Sequence, residues 1–163
     1  MVTQQQLRDS MRFWASGVSI VSSTFKESIH GMTVSSFTSL SLEPPLVMVA
    51  LANATRTYDM VQKSGVFGVT LLSQEQQPIS NRFAGQHTEN KNRFYGLETF
   101  TLETGSPMLK GGLAFLDCKV VEANPVGTNT LFIGGVVATQ VSEEAEGMEP
   151  LLYFNRGYRK FEE

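Results

Sequence analysis

Residues 33–57 read TVSSFTSLSLEPPLVMVALANATRT, and the middle of that stretch decides the fold. Pro44-Pro45 excludes helix, because neither ring nitrogen carries a proton to donate and each holds the residue before it extended. Leu46 to Ala52 then offers apolar side chains to both faces of an extended chain, as expected of a central strand. Ahead of the prolines, Thr33, Ser35, Ser36, Thr38, Ser39 and Ser41 make a hydroxyl-rich strand and bend, with Phe37 and Leu40 interleaved. Behind them, the small residues Ala50 and Ala52 give way to Asn53-Ala54-Thr55-Arg56-Thr57, where a helix begins. Taken alone, such hydroxyls commonly serve turns and helix caps. The other reading is that the helix start, with free amides and a positive dipole end, seats a phosphate.

Upstream, Leu7, Met11 and Trp14 recur at helical spacing and predict an amphipathic helix over 4–14, ended by Gly17. Residues 18–24 read as a β-branched strand, and His30-Gly31 as a turn into a strand over 32–37. Downstream, residues 53–64 predict a helix with Tyr58 and Val61 facing inward and Gly65 as its stop. Phe67, Val69 and Leu71 alternate as a strand. Ser73 and Gln76 have capping-box spacing for a helix ending near Phe83, which Pro78 implies is short or broken. Residues 86–93 read as polar loop. A strand over 113–121 places Ala114, Leu116, Cys118 and Val120 on one face and Phe115, Asp117, Lys119 and Val121 on the other. A second long strand over 131–141 is split by Gly134-Gly135, followed by an acidic turn over 143–149 and a closing segment over 150–161. About six strands with few helices predict one mainly β domain over residues 1–163, built as a closed antiparallel barrel.

Composition removes several function classes. The chain has 163 residues, 41% hydrophobic and 18% charged, which is ordinary globular composition. A net charge of −3 without a basic cluster argues against nucleic acid as a partner. The single cysteine, Cys118, supports neither a disulfide framework nor a thiolate metal site, and its strand face makes it a packed core thiol. His30 and His87 are not spaced as metal ligands. Nucleophile-elbow, phosphate-loop and Gly-x-Gly-x-x-Gly motifs are all missing from the sequence. Met1 to Ser10 is polar rather than signal-like, and Leu46 to Ala52 is too short to cross a bilayer. A soluble cytoplasmic protein with no membrane partner is the expectation. With no nucleophile–base set in view, an enzyme built on this chain needs a cofactor to carry its chemistry.

A series of landmarks in fixed order gives the chain its resemblance. Gly17-Val18 is followed by Thr33-Val34-Ser35-Ser36-Phe37-Thr38-Ser39-Leu40-Ser41, then Pro44-Pro45-Leu46 and Thr55-Arg56-Thr57. Arg82-Phe83-Ala84, Arg93-Phe94, Leu131-Phe132-Ile133-Gly134 and Pro150-Leu151-Leu152-Tyr153 complete it. The sequence resembles the flavin reductase-like family over about residues 7–161, most specifically from Thr33 to Leu46. The resemblance implies a six-stranded antiparallel split β-barrel of Greek-key type with a few short helices, forming a homodimer whose interface helps build the flavin sites. It implies an NAD(P)H-dependent reductase that passes hydride from NADH or NADPH to FMN or FAD by positioning alone, with no catalytic side chain. Reduced flavin would then supply a partner monooxygenase. Carried over, Thr33, Val34, Ser35 and Ser36 line the isoalloxazine, while Ala50, Leu51 and Ala52 lie against the ring and ribityl chain. Thr55, Arg56 and Thr57 hold the phosphate, and Phe83 flanks the site.

One departure bears on the nicotinamide. Family members often carry Gly-Asp-His-Thr before the Leu-Phe-Ile-Gly strand, where this chain has Gly127-Thr128-Asn129-Thr130. Asn129, the nicotinamide-binding candidate, donates a hydrogen bond but never becomes cationic. Gly135 likewise stands where a glutamate is frequent. Two alternatives therefore stay open: a flavin-carrying electron-transfer protein, and a reductase that keeps its flavin and serves another acceptor.

Overall fold

The computed structural model describes residues 1–86 and 92–161, so most of the loop expected over 86–93 lies outside the described residues. The chain opens with α1 (Gln4–Met11), where Thr3 and Gln6 form a reciprocal capping box. The helix stops short of the expected residue 14, and none of its residues is buried. Leu7, Met11 and Trp14 are 57%, 53% and 70% exposed, so the apolar face that the spacing predicts has no partner within the chain.

β1 (Ser16–Gly17) precedes a hairpin of β2 (Ser19–Phe25) and β3 (Ser28–Val34). His30-Gly31 is not the turn. Lys26, at φ 55°, takes the left-handed position of the hairpin, and Gly31 sits inside β3 for reasons of space. A Cβ on Gly31 would lie 3.1 Å from the Phe83 ring and 3.2 Å from the Phe94 ring. β3 also ends at Val34 rather than running on to Phe37.

β4 (Thr38–Ser41) and β5 (Leu46–Ala52) flank the turn that holds Pro44-Pro45. α2 (Arg56–Ser64) follows, stopped by Gly65 at φ 70°, with Val61 buried and Tyr58 half-buried as expected. After β6 (Val66–Leu71), the Gln76 side chain accepts from the Ser73 amide at 3.2 Å and leads into α3 (Gln77–Phe83). Pro78 sits in the first turn of α3, where an amide proton has no intrahelical partner to lose, so it starts the helix rather than breaking it.

β7 (Thr99–Phe100) pairs with β8 (Met108–Leu109), and the long strands β9 (Ala114–Val126) and β10 (Asn129–Val141) form an extended ribbon. Register shifts interrupt that ribbon at Ile133/Gly134, beside the expected break. β11 (Leu152–Phe154) and β12 (Gly157–Arg159) close the chain.

The main sheet has seven antiparallel strands in the order β3-β2-β6-β9-β10-β5-β4. This corrects the expectation of six strands closed into a barrel: β3 and β4 are edges and do not pair with one another. The additional strand is β4, which the hydroxyl-rich composition of Thr38 to Ser41 made look like a bend. Because β4 pairs with β5, β5 is next to an edge rather than central. A second sheet, β1-β11-β12, is tied on by Val18, whose amide donates to the Leu151 carbonyl at 3.0 Å.

One core gathers Val21, Val49, Leu51, Val61, Phe67 and Phe132 between the sheet and α2. Cys118 belongs to it, fully buried; burial, and next the Asp117 carboxylate, push its thiol up to about 12. It is a packing residue. A second cluster packs Phe83 of α3 and Phe94 against Val18, Ile20, Leu72 and Leu151. Asp117, also fully buried, accepts from the Thr104 amide at 2.6 Å and from the Thr104 hydroxyl at 2.5 Å, pinning the segment before β8 onto β9. No described helix is long and apolar enough to cross a membrane.

Candidate flavin-binding cleft

The start of α2 is built by Thr55, whose hydroxyl accepts from the Tyr58 amide at 3.3 Å and donates to the Ala52 carbonyl at 2.8 Å. That satisfies the third amide of the helix and leaves those of Arg56 and Thr57 without a partner inside it. Arg56 is exposed and makes no ion pair among the described residues. Thr57 is fully buried, with its hydroxyl 2.8 Å from Nδ1 of His30. Burial first, then the guanidinium groups of Arg93 and Arg56, push His30 down to about 4, so its imidazole is neutral at neutral pH. Two cations and a helix dipole already make this corner positive. A third charge is not tolerated there.

Arg93 fixes which way the β3 edge faces. Its Nη1 donates to the Gly31 carbonyl at 2.9 Å and to the Phe83 carbonyl at 2.8 Å. Both backbone groups of a strand residue point to the same side, and the side alternates along the strand. The amide of Thr33, two residues on, therefore also faces the free edge. The Thr33 hydroxyl is already committed, donating to the Ser80 carbonyl at 2.6 Å, so the amide is what this residue offers a ligand.

Two cavities meet at this edge. One, of about 320 Å³, is lined by Thr33, Val34, Ser35, Ala84, Tyr153 and Tyr158. The other, of about 460 Å³, holds His30, Thr55, Arg56, Thr57, Phe83 and Arg93. Thr33 and Ala84 line both, so the two form one cleft running from the end of β3 to the start of α2. Each volume falls in the usual range for a small-molecule site, roughly 300–1,000 Å³. A wider groove of about 900 Å³ continues from Val18, Ser35 and Tyr153 toward Trp14 and Phe37.

The structure thus brings together Thr33, Val34, Ser35, Thr55, Arg56, Thr57 and Phe83. Ser36 lines the adjoining groove, and its hydroxyl is spent on β5, donating to the Ala50 carbonyl at 2.8 Å and accepting from the Ala50 amide at 3.2 Å. Ala50, Leu51 and Ala52 line neither cavity, and the Leu51 side chain lies fully in the core. Asn129 is exposed, paired with Ala52 where the β9–β10 ribbon turns, and it too lines neither cavity.

Sequence reasoning weighed His30 as a turn residue and as a metal ligand, and gave Arg93, Tyr153 and Tyr158 no role. His30 carries no local signal, since its partner Thr57 is 27 residues away. Arg93 and Tyr153 stood among the landmarks and could have been assigned. Tyr158 reaches the site because its hydroxyl lies 2.8 Å from that of Ser80 on α3.

A flat, partly polar ring ending in a phosphate fits this donor set. Edge amides stand at one end, the small residue Ala84 in the middle, and free helix amides with two guanidinium groups at the other.

Comparison with known proteins gives the cleft its context. The chain is 34% identical to an NADH-dependent flavin reductase of Rhodococcus sp, covering 99% of this chain and 88% of that protein. It is also 34% identical to the reductase component of 4-hydroxyphenylacetate 3-monooxygenase from Thermus thermophilus, covering 96% of each. The solved styrene monooxygenase flavin reductase from Pseudomonas putida S12 superimposes with a TM-score of 0.83 at 34% identity, over 94% of this chain and 95% of that one. The model of the flavin reductase like domain matches residues 11–162. With the cleft lying inside that span, the chain belongs to the flavin reductase-like family.

Proposed function

We propose that this protein is an NAD(P)H:flavin oxidoreductase that holds FMN or FAD in the cleft and supplies reduced flavin to a partner monooxygenase. The single observation that carries this reading is that the end of β3 and the start of α2 share one cleft through Thr33 and Ala84. Bound flavin supplies the chemistry by accepting a hydride, and with it two electrons, from the dihydronicotinamide, which leaves as the oxidised cation.

The chain's own residues do the rest. The Thr33 amide on the open edge would donate to the polar rim of the ring, with Ala84 and Phe83 lining the cleft beside it. Fixed donors of this kind stabilise negative charge gained by the ring without moving. Arg56 and the first amides of α2 would hold the phosphate, and Arg93 braces the β3 edge beside the cleft. No side chain acts as acid or base; the protein contributes proximity and electrostatics.

The reading includes a homodimer. Leu7, Phe13, Leu40 and Leu42 are all 47% exposed or more, apolar side chains that a second copy would cover.

Mixing the protein with flavin and NADH or NADPH, while following nicotinamide absorbance, tests the reading. Turnover is expected. A yellow protein without turnover favours the electron carrier, and a protein indifferent to flavin overturns both. Arg56→Glu, at an exposed position, should weaken FMN about tenfold and leave riboflavin unaffected, since only FMN carries the phosphate.

A further inference from the structure

The flavin cleft leaves a cluster of charge at its outer mouth unaccounted for. Arg8 and Arg12 stand one helical turn apart at the end of α1, and the β11–β12 turn brings Arg156 beside them. With Gln5 and Met11 they line a cavity of about 490 Å³. Among the described residues the one carboxylate paired there is Asp9, which accepts from Arg156 at 2.6 Å. Three guanidinium groups thus share a single negative charge.

Two further observations mark the cluster as strained and incompletely paired. Asn155 and Arg156 occupy the turn at φ 50° and 61°, a geometry that favours glycine at its second position. Placing an arginine there strains the backbone, and such strain concentrates where a side chain has a task. The turn is locked to α1 by the Asn155 amide, which donates to the Arg12 carbonyl at 2.7 Å. Nε of Arg12 is buried and has no hydrogen-bond partner.

The cluster also touches both compartments of the site. Arg156 lines the cavity that holds Thr33 to Ser35, and Arg12 lines the wide groove that holds Ser35 and Trp14. The phosphate seat at α2 belongs to the other cavity, beyond Thr33. An anion at the arginines is therefore a different group from the flavin phosphate.

We propose that Arg8, Arg12 and Arg156 seat the diphosphate of the nicotinamide dinucleotide, holding the hydride donor by its phosphates while its nicotinamide enters beside Thr33. This rests on the reductase reading above. Two phosphate charges match the surplus of the cluster, and planar guanidinium groups suit bidentate phosphate contacts. The groove next to them, with Trp14 and Phe37 on its wall, has room and aromatic surface for the adenine. The arrangement also gives the chain a grip on the dinucleotide that does not depend on Asn129.

The test compares wild type with Arg8→Gln, Arg12→Gln and Arg156→Gly in the flavin-loaded protein; the glycine relaxes the turn while removing the charge. Calorimetric titration with NAD+ measures binding without turnover, and the KM for NADH is measured beside the KM for N-benzyl-dihydronicotinamide, a donor without phosphates. Each variant should raise the Kd for NAD+ and the KM for NADH by about tenfold, as expected for losing one charge-assisted contact. In Arg8→Gln and Arg12→Gln, whose positions do not line the flavin cleft, flavin affinity and turnover of the phosphate-free donor should stay unchanged, and added salt should narrow the gap between wild type and variants. Unchanged NAD+ and NADH constants overturn the proposal, as does an equal loss with both donors. If wild type fails to bind flavin at all, it is the reductase reading that falls.

Discussion

Acid should weaken this protein at one identifiable place, His30. Its imidazole is 9% exposed, bonded to Thr57 and flanked by Arg93 and Arg56, and is held down to about 4 from the ordinary 6.5. Between those two values the unfolded chain binds a proton that the folded chain refuses. Stability is therefore complete above about pH 6.5, falls as pH drops toward 4, and levels off below it. At 1.36 kcal/mol per pH unit the full interval is worth about 3 kcal/mol, which water in the adjoining cleft reduces to about 2 kcal/mol. The assay is urea unfolding at a series of pH values from about 7 to 4.5, with His30→Asn as the control. Asparagine keeps a polar atom within reach of the Thr57 hydroxyl but does not titrate. Carboxylates contribute equally to both proteins, so the difference between the two curves isolates the imidazole. Wild type should lose about 2 kcal/mol more than the variant over this range. Parallel curves would refute the claim that His30 is kept neutral by burial and by the two arginines.

Two further outcomes follow from the packing. Cys118, fully buried with its thiol near 12, should resist thiol reagents in the native protein and react once urea unfolds it; rapid native labelling would contradict its place in the core. Gly134→Ala would set a Cβ 2.5 Å from the Phe67 ring and 2.9 Å from the Cys118 Cβ, so thermal or urea unfolding should show a loss of about 2 kcal/mol.

What the sequence made legible was local. Pro44-Pro45 and the apolar run behind it located β5 to the residue, and Gly65 marked the end of α2, because each signal sits in the segment it governs. What stayed hidden depends on distant partners. Gly31 reads as a turn residue until the rings of Phe83 and Phe94 arrive against it from the α3 side. Thr38 to Ser41 reads as a bend until β5 pairs with it. Residues 122–126 are exposed and polar enough to pass for loop, yet they extend β9 by pairing with β10.

The site divided in the same way. Thr33, Thr55 and Thr57 lie on the two segments that the sequence singled out, and the fold brings them to one cleft. Their hydroxyls, however, turn inward to Ser80, Ala52 and His30, and the Thr55 amide donates to the Ala52 carbonyl, leaving the amides of Thr33 and Thr57 as the donors. Side-chain chemistry is visible in a sequence; which groups the folded chain has already committed is not. His30 and Tyr158 reach the cleft only through contacts spanning tens of residues, so no local pattern could assign them.

The most direct measurement is a crystal structure of the protein grown with FMN. The account predicts the isoalloxazine beside Thr33, Val34 and Ser35, with the phosphate within hydrogen-bonding distance of the Arg56 and Thr57 amides. A ring held elsewhere, or a phosphate remote from α2, would contradict it.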